Sequence, residues 1–258
     1  MNPAKAVMPD LATVRRHEAA GFRAWPAASV QYDGTWVIRL TAGHPAKRLN
    51  SVNPLDPSDT DRLDERIAGA ARRFEAQGRP LTFRLSPLSG AVLDRHLDEK
   101  GWSRFDESLV MRIPLSHPVV DGALDQIPLK DVMRFINAAI GIDSLDPALR
   151  PGLSQIIGSI EPRTGLFVLE RDRQPMTTAI CVQDGDLAGL FEIATASEER
   201  GKGYARRTIL SALKWARSHG ARTGWMQVSA DNDAALSLYR SIGFSEVYRY
   251  HYRRPPEG

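Results

Sequence analysis

The stretch LAGLFEIATASEERGKGYARR, residues 187–207, joins an apolar strand to a helix through a turn that holds two glycines. Gly201 and Gly203 let the backbone fold back tightly, so successive N–H groups can converge on one point. That point lies at the N-terminus of the following helix, where aligned peptide dipoles favour an anion. Lys202, Arg206 and Arg207 add positive charge. The physical reading is a pyrophosphate cradle. The spacing fits neither GxxxxGK[ST] nor GxGxxG, which sets aside P-loop and dinucleotide-binding readings. A glycine-bearing turn without a ligand stays open as the plainer alternative.

Downstream, the apolar spacing predicts a helix over 205–219 ended by Gly220, and a strand over 225–228. A helix over 233–242 ended by Gly243 and a closing strand over 244–253 follow. Upstream, helices are expected over 129–140 and 146–160. Strands are expected over 166–169 and 177–182, split by the polar turn ERDRQ. The order is two helices, three strands, helix, strand, helix, strand. The fold class is therefore α+β, with a mixed, mostly antiparallel sheet flanked by helices.

Residues 113–128, rich in turn formers, read as a linker. On either side the pattern repeats. Residue n of the first half meets n + 142 of the second, so that Gly43, Gly78 and Gly101 meet Gly185, Gly220 and Gly243. Thr35, Ile67, Ala70 and Ser103 also meet identical residues, with no gap from 35 to 105. This is expected of a duplicated domain. The division is 1–114, linker 115–126, and 127–258. The first half lacks evident counterparts of the second half's first helix and opening strand.

The chain has 258 residues, 42% hydrophobic and 25% charged, which excludes wholesale disorder. A net charge of +3 is a weak pointer to nucleic acid, and no nucleic-acid motif accompanies it. Cys181 is the only cysteine, which excludes an internal disulfide and a cysteine-rich zinc site. No apolar run spans a membrane, and the first residues lack a signal-peptide core. A reducing, cytoplasmic setting is the expectation. The histidines have no ligand spacing, so no metal is assigned.

RGKGYA (Arg200, Gly203, Ala205) resembles the R/Q-x-x-G-x-G/A signature of the GNAT N-acetyltransferase superfamily. NDAALSLYRSIGF, 232–244, is similar to that superfamily's N-x-x-A-x-x-L-Y-x-x-x-G-F segment through Asn232, Ala235, Leu238, Tyr239, Gly243 and Phe244. The two motifs stand in the expected order, one helix and one strand apart. The resemblance covers about 129–255. It implies an acyl-CoA site in the second half, most simply for acetyl-CoA. Arg200, Gly201, Lys202, Gly203, Tyr204, Ala205 and Arg206 would hold the pyrophosphate. The strand edge at Ile193, Ala194 and Thr195 would pair with pantetheine amides. Asn232 would contact the CoA arm, and Tyr239 would face the thioester sulfur.

Acetyl transfer to an amine requires that the amine lose its proton and that the departing thiolate gain one. Tyr239 is the candidate acid; the alternative is a tyrosine that only packs. Glu192 is the candidate base, on the strand beside the thioester. Simple alternation puts it on one face with Leu190 and Ala194. Its alternative role is a structural ion pair with an arginine. Cys181 reads as a small buried strand residue. The run YRYHYRRP, 248–255, reads as a half-exposed last strand.

In the first half the glycine loop is replaced by SDTDRL, 58–63, with acids where a pyrophosphate would sit and an N-cap at Ser58 or Asp59. Glu192, Asn232 and Tyr239 map to Asn50, Gly90 and Leu97. That half resembles a degenerate GNAT domain that shapes the acceptor cleft, through Arg48, Asn50 or Ser51. The expected function is N-acetyl transfer from acetyl-CoA to a small-molecule or peptide amine. A non-catalytic acyl-CoA-binding regulator and a nucleic-acid module are the rivals. Sequence leaves the acceptor and the oligomeric state open.

Overall fold

The computed structural model describes residues 10–256. The first half runs α1 (Leu11–Ala24), β1 (Ser29–Asp33), β2 (Trp36–Leu40), β3 (Ser51–Pro54), α2 (Leu63–Glu75), β4 (Phe83–Leu85), α3 (Gly90–Glu99) and β5 (Ser103–Pro114). A short α4 (Pro118–Asp121) follows. The second half runs α5 (Val132–Asp143), α6 (Arg150–Gly158), β6 (Arg163–Arg171), β7 (Gln174–Asp184), β8 (Leu187–Thr195), α7 (Tyr204–Ser218), β9 (Thr223–Ser229), α8 (Asp233–Ile242) and β10 (Ser245–Arg254).

All ten strands form one sheet, in the order β1-β2-β3-β4-β10-β5-β9-β8-β7-β6. Among the described residues only β3–β4 and β8–β9 are parallel. These are corresponding pairs under the 142-residue shift, so the sequence repeat is a repeat of topology. The two halves join by exchanging their last strands. β5 pairs with β9 of the second half, and β10 pairs with β4 of the first. β5 and β10 also pair with each other along most of their length.

The exchange revises the expectation for 248–255. β10 is a central strand, not a half-exposed last one, and Tyr248, Tyr250 and Tyr252 are buried. The first half also has an opening strand. β1 pairs antiparallel with β2 as β6 does with β7. SVQYD is exposed at the sheet edge and carries no burial alternation, which hid it. Within 113–128, α4 buries Val120 and is tied to α7 by Arg217 and Asp121, 2.7 Å apart.

α1 belongs to the first half but covers the second half's sheet. Trp25 stacks on Phe191 of β8 with ring centroids 5.7 Å apart. His17 meets Trp225 of β9 edge-on at 5.9 Å. One apolar cluster therefore runs through both halves, from Val14, Leu49 and Leu88 to Phe135, Ile180 and Tyr248. Beneath it Arg84 of β4 forms a buried ion pair with Glu18 of α1, including a 3.0 Å bond, and the Tyr248 hydroxyl donates to Glu18 at 2.6 Å.

Candidate active site

β8 and β9 are paired only from Leu187↔Thr223 to Leu190↔Met226. Beyond that point the strands separate. Glu192 causes the departure: its φ is +47° and the β7–β8 register slips beside it. This is a β-bulge, which breaks the simple alternation expected around Glu192. Ala194 and Thr195 remain bonded to β7 through Thr178 and Thr177. The backbone of Ile193, Ala194 and Thr195 on the β9 side has no strand partner, leaving an edge for an extended, amide-bearing ligand.

The turn after β8 ends at Gly203, which is the N-cap of α7 with φ +80° and no side-chain cap bond. Gly201 has φ +76°. A Cβ placed on either would meet no atom within 4 Å, so the space in front of the helix N-terminus is open. Orphan N–H groups, left-handed glycines and open space together suit an anion. Lys202 is 3.2 Å from Glu199, and Arg206 donates to the Ser241 backbone oxygen at 3.3 Å, tying α7 to α8. The Tyr204 hydroxyl accepts from Arg171 at 3.4 Å. Ala205 lies in the first turn of α7. Asn232 is the N-cap of α8, where its side-chain oxygen accepts from the Ala235 N–H at 3.0 Å and leaves its amide group for other contacts. Arg200 lies near enough to Asp143 to oppose the rise of that carboxyl.

Tyr239 is buried in α8, its ring 6.1 Å from Phe244. Burial pushes its hydroxyl up to about 12, so it holds its proton at neutral pH. Burial also raises the Glu192 carboxyl; Arg48 opposes this and Asp143 adds to it. Asp143, at the end of α5, is exposed at the surface, and partial desolvation raises its carboxyl. It lies in no motif and beyond the helix expected over 129–140, so no sequence signal marks it. Cys181 is fully buried and its thiol is raised by desolvation.

Arg48, on a short 3-10 turn of the first half, faces the second half. It lines a cleft of about 430 Å³ with Lys47, Asp106, Gln227, Tyr250 and Tyr252. Behind Arg48 and Gln227 lies a separate small void of about 10 Å³, lined also by Phe191, Arg39 and Arg84. Asn50 and Ser51 do not face it. Asn50 is buried and bonds the Thr41 N–H and the His44 carbonyl, both at 2.8 Å.

The corresponding loop of the first half is closed. Asp59 does not cap α2; Arg62 stands at that position, without a side-chain bond. Asp59 instead accepts from the Thr35 N–H at 2.9 Å and from Arg66 at 2.7 Å. Its carboxylate occupies Arg66 and the Thr35 N–H and puts negative charge at this loop. Among the described residues, no group of three or more His, Cys, Asp or Glu is placed to hold a metal ion, and no helix is long and apolar enough to cross a membrane.

A family model described as "Probable histone acetyltransferase Rv0428c C-terminal" matches residues 11–253. An uncharacterized N-acetyltransferase, YobR of Bacillus subtilis, is 29% identical over 95% of this chain and 99% of its own. The ribosomal protein bS18 alanine N-acetyltransferase of Haemophilus ducreyi is 32% identical over 31% of this chain and 56% of its own. Among solved structures, a GCN5-related N-acetyltransferase from Kribbella flavida superposes with a TM-score of 0.70 at 17% identity, covering 98% of each chain. A tandem GNAT protein from the clavulanic acid biosynthesis pathway superposes with a TM-score of 0.62 at 14% identity, over 93% of this chain and 88% of that one.

Proposed function

Because this chain belongs to the Rv0428c C-terminal family of GNAT N-acetyltransferases, we propose that it moves an acetyl group from acetyl-CoA to an amine held between its two halves. The chain is an acyltransferase. One observation carries it: the parting of β8 from β9 at the Glu192 bulge, next to an open helix N-terminus. An extended pantetheine arm fits the free edge at Ile193–Thr195, with its pyrophosphate on the N–H groups of 201–206. Arg200, Lys202 and Arg206 add charge, and Asn232 lies toward the arm.

The amine nitrogen, once neutral, attacks the thioester carbonyl carbon. Glu192 takes a proton from it, and the raised carboxyl makes that base more competent near neutral pH. The C–S bond then breaks and sulfur gains charge. Tyr239 is the donor in this reading. Its hydroxyl, at about 12, is a weaker acid than a thiol at about 8.5. Outright transfer is uphill by roughly 5 kcal/mol in the unliganded pocket. Tyr239 therefore acts chiefly as a hydrogen-bond donor, sharing its proton as the negative charge forms.

The division into 1–114, linker 115–126 and 127–258 is part of this proposal, with one CoA site, in the second half. The Asp59 clamp in the first half supports it. One reduced, buried cysteine fits a cytoplasmic enzyme. The test is thiol release from acetyl-CoA with a broad amine panel. CoA binding without turnover of any amine would favour the regulator reading instead.

A further inference from the structure

At the inner end of the interdomain cleft is a small void of about 10 Å³, room for one water, which shares Arg48 and Gln227 with the cleft and is lined by three arginines and one carboxylate. Arg39 and Arg84 are both buried there, at 3% and 4% exposure, and Arg48 stands over them half-buried. Glu18 is the carboxylate that joins them, and it is already engaged by Arg84 and by the Tyr248 hydroxyl. Arg39 donates to the backbone oxygens of Arg48, at 2.8 Å, and of Trp25. Among the described residues its Nε is buried with no hydrogen-bond partner. A buried guanidinium nitrogen left without an acceptor calls for an explanation. Among the described residues Arg48 lies within ion-pair distance of no carboxylate, although Glu192 is near enough for Arg48 to lower its carboxyl. Aromatic faces soften the excess, with Arg84 lying 3.7 Å from the Tyr250 ring centroid and Arg39 4.7 Å from that of Phe22. They do not neutralise it.

The arrangement sits where the chemistry would need it. Phe191 borders this end of the cleft and precedes Glu192, whose carboxyl Arg48 pulls down. Gln227, which accepts from the Tyr250 hydroxyl at 2.8 Å, connects the inner end to the open part of the cleft. Guanidinium groups bind carboxylates through paired, charge-assisted bonds. We propose that the acceptor carries a carboxylate close to its amine, and that Arg48, backed by Arg39, receives that carboxylate while the amine lies at Glu192. This rests on the acetyl-transfer reading. The first half then sets substrate specificity by supplying the positive end of the site.

The test uses the whole protein with acetyl-CoA and matched acceptors: α-amino acids, β-alanine and γ-aminobutyrate, each against its carboxamide. The expected result is a preference of about tenfold or more in kcat/KM for carboxylate-bearing members. In Arg48→Gln the ratio should fall to near one, and Arg48→Lys should restore part of it. A second readout does not need turnover. With CoA bound, the carboxylate-bearing members should raise the melting temperature of the wild-type protein, and the rise should vanish in Arg48→Gln. Equal rates for acids and amides, or a ratio that Arg48→Gln leaves intact, would overturn the proposal. If no amine is acetylated, the functional reading fails. The melting shifts then still decide whether the cleft recognises a carboxylate: a shift lost in Arg48→Gln supports it, and no shift refutes it.

Discussion

At Gly203, conformation and charge act together. The residue has φ +80° with open space before it. Gly203→Asp strains the left-handed turn and adds a negative charge where the pyrophosphate would bind. CoA affinity measured by calorimetry should fall by roughly two orders of magnitude, the scale of losing charge-assisted contacts and gaining a repulsion. Unchanged affinity in a folded variant would mean that the cradle lies elsewhere. Tyr239→Phe removes one oxygen and keeps the buried ring. The single-turnover rate should drop about a hundredfold, with little change in acetyl-CoA affinity. Glu18 is different, because it is the carboxylate partner of a buried arginine and the acceptor of the Tyr248 hydroxyl. Glu18→Ala leaves Arg84 as a buried charge without a carboxylate, so denaturant unfolding should show a loss of about 3–5 kcal/mol.

Among the elements, the loop before α2 gives a pH signature. The Arg66 guanidinium and the Thr35 donors hold the Asp59 carboxyl at about 2. A depressed carboxyl stabilises the fold above its ordinary value near 3.8 and loses that contribution as pH falls toward about 2. Thermal unfolding between pH 5 and pH 2 (on the order of the usual carboxylate range) should show this loss. In Asp59→Asn the melting temperature should be lower at the upper end and change less across the window. A parallel dependence in both proteins would rule out Asp59 as the cause. The same scale shows why periodicity located β8 but not its function. The bulge at Glu192 rests on one residue at φ +47°, and an alternating pattern of apolar residues does not encode that departure. β1 was missed for a related reason, since an edge strand exposed on both faces has no period to read.

For the whole molecule, strand exchange makes the halves depend on each other. A fragment of residues 115–258 lacks β5, which separates β9 from β10 in the sheet. It also lacks α1, whose Trp25 covers Phe191. It should be insoluble or unfolded by circular dichroism, whereas the whole chain should unfold in one cooperative step. A folded, CoA-binding fragment would show that the exchange is dispensable.

The sequence by itself determined the α+β class, the 142-residue repeat, the helix starts and stops at glycines, and the family through two motifs near the second half's loop. Those signals are local: a glycine's left-handed turn and a 3.6-residue period need only near neighbours. Tertiary structure alone decided how the halves join, because 244–253 reads as an ordinary closing strand and only long-range pairing puts β5 between it and β9. It also decided the cleft. Arg39, Arg48, Arg84 and Glu18 lie on four separate elements, and no spacing along the chain marks them as neighbours. Charge excess is a property of a volume, and that volume exists only after the two halves have closed on each other.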